Sequence, residues 1–242
     1  MNIVCMDNID FMKSISNNSL DLIYSDILFG SGRKFKDYQD LKPIKSEIDE
    51  HYIPRIKEMY RVLKNTGTIY LQMDTKINHW IRCILDDVFG YHNMRNEIIW
   101  SYNTAPRKKN DFGKRHDVIL RYTKSDVYTF NPIREPYSLS APRGYEKEKY
   151  YHSDGKVIGD VWTMNILGQN DKTERVGYDT QKPKSLAERI IRSSSNEGDL
   201  VADFYAGSHT TGVAALSLDR DYIGCDINPR SLEIGMKRLS VK

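Results

Sequence analysis

Residues 199–228 read DLVADFYAGSHTTGVAALSLDRDYIGCDIN. Leu200, Val201 and Ala202 run into Asp203, which predicts a short buried strand over Leu200–Phe204. A loop of small residues follows (Ala206, Gly207, Ser208), and a helix is predicted over Thr210–Leu218. A second strand, Tyr222–Cys225, runs into Asp226, nineteen residues beyond Gly207. This is the order of a nucleotide-binding βαβ unit. Small residues let a ligand approach the backbone, and the first helical turn offers unpaired N–H groups. An acidic side chain about 20 positions on accepts hydrogen bonds from ribose hydroxyls. Asp203, Tyr205, Ala206, Gly207, Ser208, His209, Thr210 and Asp226 are therefore candidate cofactor contacts. A tight structural turn with Asp226 as a helix cap is the competing reading of the same residues.

The alternation continues through the rest of the chain. Strands are predicted at Asn2–Cys5, Leu20–Tyr24, Thr68–Met73, Glu97–Tyr102 and Val118–Tyr122. Helices are predicted at Phe11–Ile15, Ser46–Leu63, Ile77–Val88, Pro183–Ser193 and Ser231–Leu239. Lys64-Asn65-Thr66-Gly67 is expected to close the second helix, with the glycine just past its last turn. Strands alternating with helices imply an α/β fold: one domain over residues 1–242 on a doubly wound, mostly parallel sheet. From Thr123 to Val176, Gly, Pro, Tyr and charged residues break the pattern, so this stretch reads as an irregular insertion.

Composition narrows the classes. The 242 residues are 39% hydrophobic and 29% charged. No run approaches the roughly 20 apolar residues of a membrane span. MNIVCMDNID lacks a secretory pattern, and Cys5, Cys83 and Cys225 are scattered and odd in number. A reducing, cytoplasmic setting without disulfides is expected, and the six histidines show no metal-ligand spacing, so no metal is expected. Net charge is only +3, but Ser101–Lys156 holds twelve Lys/Arg against seven Asp/Glu, with seven of the sixteen tyrosines. Basic side chains among aromatics suit phosphate contact and base stacking; a solvated surface insertion fits equally.

Two further motifs give these residues a family. Thr180-Gln181-Lys182-Pro183 resembles the TQKP that precedes the FxGxG cofactor loop of S-adenosylmethionine-dependent DNA amino-methyltransferases, and Tyr205–His209 with Thr210-Thr211 resembles that loop. Asp21–Gly30, DLIYSDILFG, resembles the strand and DPP[YF] loop that carry catalysis there. The resemblance implies that Thr180, Gln181 and Lys182 help hold the methionine end of the cofactor. It implies that Asp26 and the Ile27 carbonyl accept hydrogen bonds from an exocyclic base amine, with Phe29 stacking on a base flipped from double-stranded DNA. Catalytic loop before cofactor loop is the permuted, β-class order, on a seven-stranded Rossmann-like sheet. It makes Asn2–Met6 a central strand and Asp7 the counterpart of an acidic residue near the cofactor's adenine; Asp7 also fits an N-cap. Asp rather than Ser at position 26 leans towards N6-adenine over N4-cytosine.

Departures from the family pattern keep a second reading open. Asp26-Ile27-Leu28 replaces DPP, so no proline fixes φ. His209 replaces the last glycine; at φ > 0 it costs about 1–2 kcal/mol, and its imidazole can project into the cofactor pocket. The alternative is a DNA-binding regulator or targeting subunit without transfer. Arg107, Lys108, Lys109, Lys114 and Arg115 are expected at DNA phosphates. Residues 131–170 are expected to form the target-recognition insertion, with Arg134, Arg143, Tyr145, Lys147 and Lys149 as candidates. About 40 residues are few for that task, which points to a short site or to help from a homodimer or second subunit.

Overall fold

The computed structural model describes residues 1–36, 38–104, 110–137, 152–168 and 171–240. The strands are β1 (Asn2–Cys5), β2 (Leu20–Asp26), β3 (Leu63–Met73), β4 (Met94–Ser101), β5 (His116–Thr123), β6 (Arg134–Glu135), β7 (Lys156–Val157), β8 (Val161–Thr163), β9 (Leu200–Asp203) and β10 (Asp221–Asp226). The helices are α1 (Asn8–Lys13), α2 (Lys45–Val62), α3 (Asn78–Phe89), α4 (Lys184–Ser194), α5 (Thr210–Leu216) and α6 (Pro229–Leu239). Among the described residues, eight strands form one sheet in the order β1-β10-β9-β2-β3-β5-β4-β8, while β6 and β7 pair separately. All neighbours in the large sheet are parallel except β5, which runs against β3 and β4.

The sheet separates two cores. Along β2, Leu22 and Tyr24 face one side and Ile23 the other, all buried. Burial on both faces is why LDLIY is apolar nearly throughout. Ile23, Ile69 and Leu71 pack with Phe11, Met12, Ile56 and Leu85 of α1–α3; Leu22, Tyr70 and Val201 pack with Leu186, Ile190 and Ala214 of α4 and α5. Each such side chain contributes about 1.5–3 kcal/mol by leaving water.

Four expectations need correction. The sheet has eight strands rather than seven, because Val161–Thr163 leaves the segment read as irregular and pairs with β4. Three residues are too few to show a period, and Trp162 alone is buried there. Asn2–Cys5 is an edge strand, not a central one: among the described residues it pairs only with β10, and Asn2 and Cys5 are exposed. Gly67 caps no helix. Helix α2 ends at Val62 and Leu63 is already extended at φ −69°, ψ 135°; a Cβ on Gly67 would stand 2.6 Å from the Leu63 side chain, which is why glycine is needed. Pro183 occupies the N-cap of α4 rather than its first turn.

Strand order reverses between β9 and β2. From β9 the chain winds through α5 to β10, and from β2 through α2 to β3. Loops on either side of such a switch point splay apart and leave a crevice at the carboxyl ends of the strands. Asp26 and Asp203, at opposite ends of the sequence, finish the two strands that border it.

Candidate active site

A cavity of about 510 Å³ opens at this switch point. Asp7, Asp26, Ile27, Phe29, Thr180, Gln181, Lys182, Asp203, Tyr205, Ala206, Gly207, Ser208, Thr210 and Asp226 all line it. The catalytic and cofactor candidates therefore share one chamber, with a single exception, His209.

On the cofactor side, Gly207 adopts φ 48° and its N–H donates to Asp226 Oδ2 at 2.8 Å, while Asn228 N–H donates to Oδ1 at 2.9 Å. Asp226 thus ties its own loop to the small-residue loop at the cavity wall. Asp203 accepts from Tyr205 N–H at 3.0 Å and from the Thr211 hydroxyl at 2.7 Å. Burial pushes its carboxyl up to about 7. Asp7 does cap α1, accepting from Ile9 N–H at 2.8 Å, and also pairs with Arg55 at 2.7 Å on the cavity wall.

His209 overturns an expectation. Its backbone is left-handed at φ 56°, as a glycine position would require, yet the imidazole points away from the cavity. It is 1% exposed, with Nδ1 3.2 Å from the Tyr222 hydroxyl and Nε2 3.2 Å from the Ser231 hydroxyl. Burial pushes the ring's pKa down to about 4, so it is neutral at pH 7.

On the catalytic side, Asp26 Oδ2 accepts from Lys182 Nζ at 2.6 Å. Oδ1 is buried and has no hydrogen-bond partner among the described residues. Burial raises the Asp26 carboxyl to about 6, against the pull of Lys182. Hydrogen bonds hold the loop that lacks prolines. Ile27 N–H donates to the Gln72 carbonyl at 3.0 Å, and the Tyr52 hydroxyl donates to the Leu28 carbonyl at 3.0 Å. Buried Asp40 accepts from the N–H groups of Gly30, Ser31 and Leu41 at 3.1, 2.6 and 2.9 Å. Gly30, at φ 63°, has no room for a Cβ beside Ile77.

The TQKP residues divide their work. Thr180 stands at φ 61° on the cavity wall. Gln181 clasps its own loop, accepting from Val176 N–H at 2.9 Å and donating to the Glu174 carbonyl at 2.9 Å. Lys182 turns to Asp26.

Lys114, exposed, and Arg115, half-buried, lie in the β4–β5 connection. The register Ser101↔His116 places that connection at the sheet end that carries Asp26. Arg134 donates to the Gly155 carbonyl at 2.8 Å within the β6–β7 pair. It stands three residues from Asn131, which bonds the carbonyls of Arg192 and Ser195 at the end of α4 remote from the cavity. Arg107, Lys108, Lys109, Arg143, Tyr145, Lys147 and Lys149 lie outside the described residues.

Several lining residues escaped the sequence reading. His51 and Arg55, one turn apart on α2, reach the cavity, with His51 3.0 Å from the Tyr205 hydroxyl. Their i, i+4 spacing was visible, but helix periodicity alone does not say what the face meets. Tyr38 and Tyr178 come from loops without a pattern. Buried Asp117 accepts from Gln72 Nε2 at 2.8 Å and the Tyr102 hydroxyl at 2.9 Å, and it lies 3.9 Å from Lys182 Nζ.

A Rossmann-like sheet with a cofactor-sized cavity and a buried acidic loop at its switch point defines a nucleotide-cofactor α/β protein. The family described as DNA methylase, of N6 and N4 amino-methyltransferases, matches residues 20–237, and the chain belongs to it. Type II methyltransferase M.HpaI of Haemophilus parainfluenzae is 34% identical over 98% of this chain and 73% of its own length. DNA adenine methyltransferase YhdJ of Escherichia coli is 31% identical over 95% of this chain and 79% of its own. The cytosine-N4-specific PvuII DNA methyltransferase shares the fold, with a TM-score of 0.74 at 15% identity over 98% of this chain and 85% of that one. So does M1.HpyAVI in its SAM complex, with a TM-score of 0.64 at 19% identity over 98% and 99%. Among the described residues no helix is long and apolar enough to cross a membrane, and no cluster of His, Cys, Asp and Glu could hold a metal.

Proposed function

We propose that the protein transfers a methyl group from S-adenosylmethionine to the exocyclic amine of a base flipped out of double-stranded DNA, adenine in preference to cytosine. The observation that carries this is Asp26 Oδ1: a buried acceptor without a hydrogen-bond partner among the described residues, on a cavity wall shared with Phe29 and with the Gly207–Asp226 loops. The residues present fit the cofactor. The cavity is within the usual 300–1,000 Å³ of ligand sites, the small residues Ala206 and Gly207 line it, and the Asp226 carboxylate at its wall suits ribose hydroxyls. Bound there, S-adenosylmethionine supplies a methyl carbon on a positively charged sulfur.

The chain's own residues do the rest by position and charge. An aromatic amine is a weak nucleophile because its lone pair is delocalised into the ring. Asp26 Oδ1 and the Ile27 carbonyl draw on its two hydrogens and localise that pair. Held in this way, the amine nitrogen would take the methyl carbon that the bound cofactor would supply, the electron pair of the carbon–sulfur bond leaving with sulfur. The surplus proton passes from nitrogen to Asp26 and on to solvent. Phe29 stacks on the base. Lys114 and Arg115, with the other basic candidates of residues 107–109 and 131–170, contact phosphates and the target. Asp26, and the likeness to the DNA adenine methyltransferase of Escherichia coli, favour N6-adenine.

Incubation with unmethylated genomic DNA, digestion to nucleosides and mass analysis tests this. The expected product is N6-methyladenine. N4-methylcytosine would reverse the base preference; unmodified nucleosides from protein that S-adenosylmethionine stabilises against melting would favour the targeting-subunit reading.

A further inference from the structure

The ammonium of Lys182 is fixed from three sides. Nζ lies 2.6 Å from Asp26 Oδ2, 3.9 Å from Asp117 Oδ2 and 4.7 Å from the centroid of the Phe29 ring. The side chain is only 13% exposed, and it crosses from the loop before α4 to the end of β2. We propose that Lys182 is the positioning residue of the catalytic carboxylate: it occupies Asp26 Oδ2, so that Oδ1 alone is presented to the base amine, ionised and in one orientation. This rests on the reading of Asp26 given above and reassigns Lys182 from the cofactor's methionine end to the base subsite.

The surroundings explain why a cation is needed. Asp117 raises the energy of a charge on Asp26, Asp26 raises that of a charge on Asp203, and the phenols of Tyr24, Tyr38 and Tyr102 sense the same cluster. Tyr102 and Gln72 Nε2 hold Asp117 in place, so it does not turn away. Among the described residues, Lys182 is the cation that acts on Asp26. Buried carboxylates packed together without a cation take up a proton. A protonated Asp26 is a weaker acceptor, and with its proton on Oδ1 it faces the amine hydrogens with a donor, so it draws the lone pair out less well than the carboxylate does.

The test compares wild type, Lys182→Met, Lys182→Gln and Lys182→Arg in single-turnover methyl transfer from pH 5.5 to 9.5, with S-adenosylmethionine affinity measured by calorimetry. Wild type should lose activity below a limb near pH 6. In Lys182→Met and Lys182→Gln that limb should move up by about one unit or more. For a move of about one unit, activity should fall about threefold further at pH 6.5 than at pH 9, and a larger move should widen that gap. Lys182→Arg should restore the limb, and cofactor affinity should stay within about threefold. An equal loss at every pH, or a loss confined to cofactor affinity, would overturn the proposal. Carbon-13 NMR titration of the Asp26 carboxyl, assigned with Asp26→Asn, reads the same pairing without catalysis. An upward move in Lys182→Met upholds it even if the transfer reading fails, and an unmoved titration overturns it.

Discussion

The imidazole of His209 occupies the space in front of Gly235: a Cβ on that glycine would stand 2.5 Å from His209 Cδ2 and 2.7 Å from Nε2. The last helix of the chain thus makes room for the residue that departs from glycine in the cofactor loop. Overpacking of this kind costs about 1–3 kcal/mol. Gly235→Ala should lose that much in denaturant unfolding, and His209→Gly in the same chain should recover most of it, less the 2.9 Å approach to Ile3. Strictly additive effects in the double-mutant cycle would refute the coupling.

His209→Asn keeps a residue that tolerates left-handed backbone and removes the titrating ring. The native ring has its pKa pushed down to about 4 from 6.5. Between those values the unfolded chain binds a proton that the native chain refuses, so wild type loses stability as pH falls, by about 1.4 kcal/mol per unit. Wild type should be the more stable protein at pH 7.5, and its lead should shrink towards pH 5. Cofactor affinity should barely change, because the ring is outside the cavity; a tenfold weakening would place it inside.

Asp40 holds by hydrogen bonds the proline-free loop that follows β2, the loop to which the proposed function assigns catalysis. Asp40→Ala strands the N–H groups of Gly30, Ser31 and Leu41. Each unsatisfied buried donor costs about 1–3 kcal/mol. The variant should melt earlier and transfer methyl groups at least tenfold more slowly (about 1.4 kcal/mol), with cofactor affinity retained. Unchanged turnover would show that the loop is held by other means.

Lys114 and Arg115 should act through phosphates. Replacing both with Ala should lower the slope of log affinity against log salt by about 2, since each phosphate contact contributes about 0.9. The weakening should be similar on any duplex. A loss seen with one sequence alone would point to base contact instead.

Much of this architecture was legible because its causes are local. Asp203, the small residues 206–208 and Asp226 fall where two buried strands end, and apolar runs reveal strand ends. What stayed hidden depends on partners distant in sequence. No pattern near His209 announces Gly235, Tyr222 or Ser231, so the ring's direction could not be read. Lys182 sits in a cofactor motif, and its turn towards Asp26 follows from the adjacency of β2 and β9. Val161–Thr163 is too short for any period to distinguish it from a loop, and Asn2–Cys5 became an edge strand because strand order is a tertiary property.

Labelled S-adenosylmethionine, unmethylated genomic DNA and a pair of proteins, wild type and Asp26→Ala, test the central claim that Asp26 activates a base amine. Genomic DNA offers every short site, so the target need not be known. Label should enter DNA with wild type and fall to background with Asp26→Ala, while both proteins melt at higher temperature with the cofactor. Equal label from the two proteins would contradict the claim and move catalysis away from this carboxylate.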